Sequence, residues 1–293
     1  MPLNKENLGN FLDNVFLGDV MGLLSELPDG SVDMVYGDPD YNVGVKYGDK
    51  TYTKDFEEYI EWYISLTRES LRVLKDTGNL FLINYPKQNA YLRVKYLDDA
   101  CYDVQEYVWV YNTNVGHTPR RFTTAHRSIL HCRKAKDNKF YKDSVAQPYK
   151  NPDDPRIKRN LANGSKGRMP YSWLYFDLVK NVSTEKSIHA CQIPQGLSEL
   201  LIKAATEKGD VVCVLFGGSG AELEICQALG RRFISAEIDE RYHQLILDRL
   251  ENGKVSEKYR MLTKIKESRL RTSQSEMFKE TEQLEIPLVK EEG

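Results

Sequence analysis

Four consecutive residues, Asp38-Pro39-Asp40-Tyr41, place a carboxylate, a main-chain carbonyl and an aromatic ring at one point of the chain. The apolar run before them, Val32-Asp33-Met34-Val35-Tyr36, reads as a short buried strand, so the four stand at a strand end. Pro39 fixes its own φ and biases Asp38 toward an extended backbone. Two acceptors and a ring face at one loop tip suit the holding of an exocyclic amine on a flat ring. The ordinary alternative is a plain turn, because Asp and Pro are common turn residues.

A second constellation is Phe216-Gly217-Gly218-Ser219-Gly220. It follows Val211-Val212-Cys213-Val214-Leu215, a continuous apolar run of the kind that forms a fully buried parallel strand. Ala221 to Leu229 then reads as a helix stopped by Gly230, and Phe233 to Ala236 as a strand with Glu237 and Asp239 at its end. Strand, glycine turn, helix, strand and acid make a nucleotide-type βαβ unit. The glycines admit a ligand close to the backbone, and the acid can accept hydrogen bonds from ribose hydroxyls. The third glycine of a dinucleotide fingerprint is replaced by Leu223, and no Gly-Lys-Ser/Thr is present, which excludes a P-loop.

Around these constellations the chain divides into residues 11–134, a first half of the core; 135–185, an insertion; 186–252, a second half; and 253–293, a charged C-terminal extension. In the first half, Asp55 to Leu74 has the spacing of a long amphipathic helix that Gly78 closes before a strand at Asn79 to Asn84; Trp62 and Tyr63 read as core residues. In the extension, Glu257 to Arg271 has helical spacing, and Ser273 to Gly293 has the low hydrophobicity of a mobile end.

Together the segments resemble the β-class amino-methylating DNA methyltransferases, in which an (Asp/Asn/Ser)-Pro-Pro-(Tyr/Phe/Trp) tetrad is catalytic and a Phe-x-Gly-x-Gly loop binds S-adenosylmethionine. Further likenesses lie at Asn14 to Asp33, at Arg120-Arg121-Phe122-Thr123-Thr124-Ala125-His126 with Ser128 to His131, at His189-Ala190-Cys191-Gln192-Ile193-Pro194, and at Gly230 to Glu237. Catalytic motif first, cofactor motif last is the β-class order, and the likeness runs over roughly residues 14 to 250. Asp40 stands where the family has Pro, Val214 where the cofactor strand usually carries Asp, and Ile193 where a Lys is usual.

The resemblance implies an α/β fold with a Rossmann-like, mixed but mostly parallel sheet of the S-adenosylmethionine methyltransferase type, carrying a recognition insertion. It implies Asp38 and the Pro39 carbonyl as acceptors for the two N–H bonds of the target amine, with Tyr41 stacked on a base flipped out of duplex DNA. Asp38 also borders the cofactor, with Phe216, Gly217, Gly218, Ser219 and Gly220 along it and Glu237 at its ribose. His189 and Gln192 join this set by resemblance alone. Asp40 is expected to face solvent, and His126 and His131 to be structural. An opening Asp favours adenine N6 over cytosine N4, which stays open as an alternative. So do a non-catalytic DNA-binding relative and an RNA methyltransferase. Methylation at cytosine carbon 5 is disfavoured, since no proline here precedes a cysteine.

The insertion carries the cations. From Arg133 to Arg168 eleven Lys/Arg stand against four Asp, in a chain whose formal net charge is only −2. Tyr149, Tyr171, Trp173, Tyr175 and Phe176 lie among or just after them. Clustered cations suit phosphates and aromatics suit bases. Arg120, Arg121, Lys158, Arg159, Lys166 and Arg168 are the candidate DNA contacts, with Asn160 to Arg168 as the flexible part; a solvated loop is the plainer reading.

At 293 residues and 41% hydrophobic content the chain can form one large α/β domain with an insertion. No apolar run approaches the ~20 residues of a membrane span, and Met1 to Asn10 is too polar for a signal sequence. Five cysteines, odd in number and without a Cys-x-x-Cys pair, read as reduced thiols, and the five histidines show no metal-ligand spacing with them. The expected setting is a prokaryotic cytoplasm, at the nucleoid. Double-stranded DNA is the expected partner, with a homodimer and a cognate restriction endonuclease as further implied partners.

Overall fold

The computed structural model describes residues 5–47, 50–113, 116–181 and 183–268. Its strands are Asn14–Leu17 (β1), Val32–Gly37 (β2), Leu74–Asn84 (β3), Asp103–Val110 (β4), His126–Arg133 (β5), Trp173–Tyr175 (β6), Val211–Val214 (β7) and Arg232–Glu237 (β8). Among the described residues they form one sheet in the order β1-β8-β7-β2-β3-β5-β4-β6. From β1 through β3 all pairs are parallel. β5 is antiparallel to both β3 and β4, and β6 closes the edge parallel to β4. The expected Rossmann-like, mostly parallel sheet is therefore the fold.

Helices cover both faces: Val20–Glu26 (α1), Phe56–Val73 (α2), Pro86–Leu92 (α3, continued by a π-helical stretch Arg93–Leu97 into α4, Asp98–Ala100), Pro155–Ala162 (α5), Gln195–Ala205 (α6), Ala221–Ala228 (α7) and Glu240–Asn252 (α8). Every residue of β2 and β7 is buried, which explains their uninterrupted apolar sequences. One core cluster packs α1, α2 and α3 on one face of the sheet, and a second packs α6 and α7 on the other. Asp33 is the polar exception inside β2. Its carboxylate accepts from Lys75 Nζ at 2.7 Å and from the Val211 N–H at 3.0 Å, tying the two halves together.

Several boundaries differ from expectation. Asp55 caps α2 by accepting from the Glu57 N–H, but the helix passes directly into β3 at Leu74. Gly78 lies inside that strand and does not close the helix. A Cβ there would come within 2.7 Å of the Asp33 carbonyl, so close strand packing is what requires glycine. The insertion is more ordered than its composition implies. Asn160 to Ala162 complete α5, Arg168 pairs with Gln147, and β6 extends the sheet. At the C-terminal side helix forms at residues 261–268, later than expected. The preceding turn docks on the second half, with Ile188 N–H donating to Tyr259 O at 2.9 Å and Met261 N–H to Lys186 O at 2.8 Å. The expected mobile end, Ser273 to Gly293, lies outside the described residues.

Candidate active site

Adjacent parallel strands β2 and β7 are in register at Tyr36 and Val214, and the Leu215 N–H donates to Tyr36 O at 2.9 Å. The chain leaves β2 at Asp38 and β7 at Leu215, just before Phe216, so both motifs emerge side by side at the carboxyl end of the sheet. That is where open α/β sheets bind ligands. A cavity of about 290 Å³ opens there. Asp38, Phe216, Gly217, Gly218, Ser219, His189 and Glu237 all line it. Pro39, Tyr41, Gly220 and Gln192 are outside that lining.

At the β2 end, burial pushes the Asp38 carboxyl up to about 8, against a hydrogen bond from Tyr41 that lowers it; nearby Glu222 adds to the rise and the Arg127 guanidinium opposes it. The Tyr41 hydroxyl donates to Asp38 Oδ1. Its ring is 5% exposed, edge-on to Tyr85 at 5.4 Å and covered by Arg127. In this arrangement Tyr41 is a partner of Asp38 and offers no free face. Asp40 also departs from expectation: it lines the cavity, both its carboxylate oxygens are buried, and burial raises its pKa while the Asn42 and Tyr41 backbone amides oppose the rise.

At the β7 end, Gly218 has φ +54, and a Cβ on it would lie 3.3 Å from the His189 ring. Glycine is thus needed both for the left-handed backbone and for room. Glu237 ends β8. Its two oxygens accept from the Gly218 and Asp239 N–H groups, each at 2.8 Å, which leaves further lone pairs toward the cavity. Burial raises its pKa while those amides oppose the rise. His189 is pushed down to about 4 by burial and by the nearby Lys186, so it is neutral at pH 7. Gln192 acts differently. It accepts from Ser187 N–H and Oγ and donates to the Glu185 carbonyl, bracing the loop that carries His189. Gly220 supplies the turn into α7 against Ile246 and Arg249.

Six carboxylates line the cavity (Asp19, Asp38, Asp40, Glu222, Glu237 and Asp239), with Lys54 as the lysine among them. Tyr47, Tyr52, Trp62, Phe216 and Tyr242 supply flat apolar wall. This donor set fits a ligand that combines positive charge, an aromatic ring and ribose hydroxyls. Trp62 belongs to this wall, 6.4 Å from Phe216, as well as to the helix packing expected of it. Arg127, Glu222 and Tyr47 were not legible as site residues. Arg127 sits in the strand β5, and only the fold brings its guanidinium 3.8 Å over Tyr85 beside the tetrad.

The candidate DNA contacts lie elsewhere. Arg120, Arg121, Lys158, Arg159 and Lys166 are exposed, and Lys158 pairs with Asp153 at 3.1 Å. Arg168 is half-buried, 4.4 Å over Tyr171, which stacks on Trp173 at 5.8 Å. His131 is structural: Tyr107 and Asn79 engage its two nitrogens, and its ring stacks on Phe81. A larger hollow of about 470 Å³ lies beneath the insertion, and Tyr171 and His131 are among its lining.

Residues 32–248 match the family N6_N4_Mtase, described as DNA methylase. The chain is 28% identical over 244 residues to the type II methyltransferase M.BglII of Bacillus subtilis, covering 79% of this chain and 67% of that one. It is 25% identical over 252 residues to the DNA adenine methyltransferase YhdJ of Escherichia coli K12, covering 83% and 84%. Among solved structures, the PvuII DNA methyltransferase, described as cytosine-N4-specific, aligns with a TM-score of 0.59 at 19% identity over 82% of this chain and 93% of that one. The M1.HpyAVI–SAM complex aligns with a TM-score of 0.55 at 22% identity over 81% and 99%.

Proposed function

The chain belongs to the N6/N4 DNA methylase family, and we propose that it moves a methyl group from S-adenosylmethionine to the exocyclic N6 of an adenine flipped out of duplex DNA. The observation that carries this reading is the cavity that Asp38 shares with the glycine loop and Glu237. When bound, S-adenosylmethionine supplies an electrophilic methyl on a sulfonium. Phe216 to Ser219 and Trp62 form the wall that would hold it, and Glu237 would accept from its ribose. The six acidic side chains favour its positive charge, which in turn favours their ionised forms. The M1.HpyAVI–SAM complex, as a fold relative, agrees with this cofactor.

An exocyclic amine is a weak nucleophile because its lone pair is delocalised into the ring. Asp38 and the Pro39 carbonyl, each accepting one N–H, draw the nitrogen toward a tetrahedral shape and return the lone pair. The protein's contribution is positioning and charge placement. Asp38 is the stronger acceptor when ionised and carries the charge that offsets the developing positive nitrogen, so its raised pKa makes ionisation a controlled step. Tyr41 acts first by holding Asp38; stacking on the base would require that hydrogen bond to release. The basic, aromatic insertion would track the DNA. Kinship with type II methyltransferases supports a place beside a restriction endonuclease of the same specificity.

Asp at the head of the tetrad and the likeness to an adenine methyltransferase favour adenine. The fold likeness to a cytosine-N4-specific enzyme favours the second reading, cytosine N4. Digestion of methylated DNA to nucleosides decides between them: N6-methyladenine is expected, and N4-methylcytosine alone overturns the adenine assignment.

A further inference from the structure

Glu222 lies in the first turn of α7, is 6% exposed and lines the cavity. Ser198 Oγ donates to its Oε1 at 3.0 Å, and Ser198 Oγ lies 3.0 Å from the Tyr36 hydroxyl. Among the described residues it has no ion-pair partner. Arg249, whose charge acts on it, pairs with Glu224 and donates to Ser219 O at 3.0 Å. The α7 N-terminus favours a negative charge at this position, but a buried carboxylate without a counter-ion is costly. Burial raises its pKa, while its own amide, Ser198 and the charge of Arg249 oppose the rise. Its field also reaches Asp38, the expected site of chemistry. A buried acid on a cavity wall, hydrogen-bonded by Ser198 and with its one favourable cation already paired to Glu224, is poised for a cationic ligand.

Resting on the S-adenosylmethionine reading above, we propose that Glu222 is a positioning residue whose carboxylate faces the sulfonium of the cofactor. It makes the cavity prefer the cationic methyl donor to the neutral thioether left after transfer. Strand β7 ends at Val214, neither it nor the Leu215-Phe216 that follows offers an acid, and α7 supplies one. The consequence is easier release of spent cofactor. Glu222 lines the same cavity as Asp38, the expected site of chemistry, and its charge is felt there.

Calorimetric titration of the full chain with S-adenosylmethionine and with S-adenosylhomocysteine tests this, because the two ligands share every charge except the sulfonium. Glu222→Gln keeps the shape and can still accept from Ser198. It is expected to weaken S-adenosylmethionine about tenfold while changing S-adenosylhomocysteine less than about twofold. Ser198→Ala keeps the charge and should leave the ratio of the two affinities near the wild-type value. Equal weakening of both ligands by Glu222→Gln, no weakening of either, or a like change of the ratio in Ser198→Ala overturns the proposal. If the unaltered chain binds neither ligand, the cofactor reading itself fails, and this inference with it.

Discussion

The Tyr41 hydroxyl donates to Oδ1 of Asp38, so the last residue of the tetrad is bound to the first. That bond stabilises the ionised carboxylate against a burial that holds Asp38 near 8. On the proposed mechanism ionised Asp38 is the competent form in the free enzyme, and its fraction grows as pH rises.

The pH profile follows from this. In the wild type, kcat/KM for methyl transfer should rise with pH through about 8. Tyr41→Phe removes the stabilising donor, so the rise should move to higher pH by roughly half a unit or more. A profile unmoved by Tyr41→Phe would show that the hydroxyl does not govern Asp38.

Stability should carry the same signature. The ordinary carboxyl value is 3.8 and the folded value is about 8, so ionisation favours the unfolded chain. The penalty is absent below about pH 4, grows between pH 4 and 8, and is level above. Asp38→Asn carries no such penalty. Its melting temperature, taken relative to wild type, should climb across that window and then plateau. A difference constant from pH 4 to 9 would contradict the raised folded-state pKa.

Glu237→Gln replaces one acceptor oxygen with a donor amide at a position where both oxygens meet backbone N–H groups. Dissociation constants for S-adenosylmethionine and for adenosine should both rise about tenfold. If neither changes, Glu237 braces the Gly218 turn and has no ribose role.

The exposed cations of the insertion bear on DNA binding. Lys158→Ala, Arg159→Ala and Lys166→Ala together should weaken duplex binding and flatten its dependence on log salt concentration by about 0.9 per residue that meets a phosphate. An unaltered slope would mark this stretch as solvated surface away from the DNA.

The centre of the fold was legible in the sequence where local pattern and burial coincide. The apolar runs at Val32 to Tyr36 and Val211 to Phe216 hold adjacent buried strands, the second ending at Val214, and the two motifs that follow them share one cavity. What was hidden depended on contacts distant in sequence. Gly78 looks like a helix stop until β3 packs against Asp33 O. Gln192 belongs to the loop brace, which only the positions of Glu185 and Ser187 disclose. Asp40 looks like a solvent-facing turn acid, but the fold around the tetrad buries its carboxylate. Arg127 and Glu222 reach the site from β5 and α7, and neither falls within a motif.

The most direct test of the central claim is methylation of unmethylated genomic DNA by the wild type and by Asp38→Ala side by side, with nucleoside mass spectrometry and with S-adenosylmethionine binding measured on both. N6-methyladenine from the wild type, none from the variant and similar cofactor affinity in the two is the predicted result. Transfer by Asp38→Ala at a rate comparable to the wild type, or no modified nucleoside from a wild type that binds both cofactor and DNA, would contradict it.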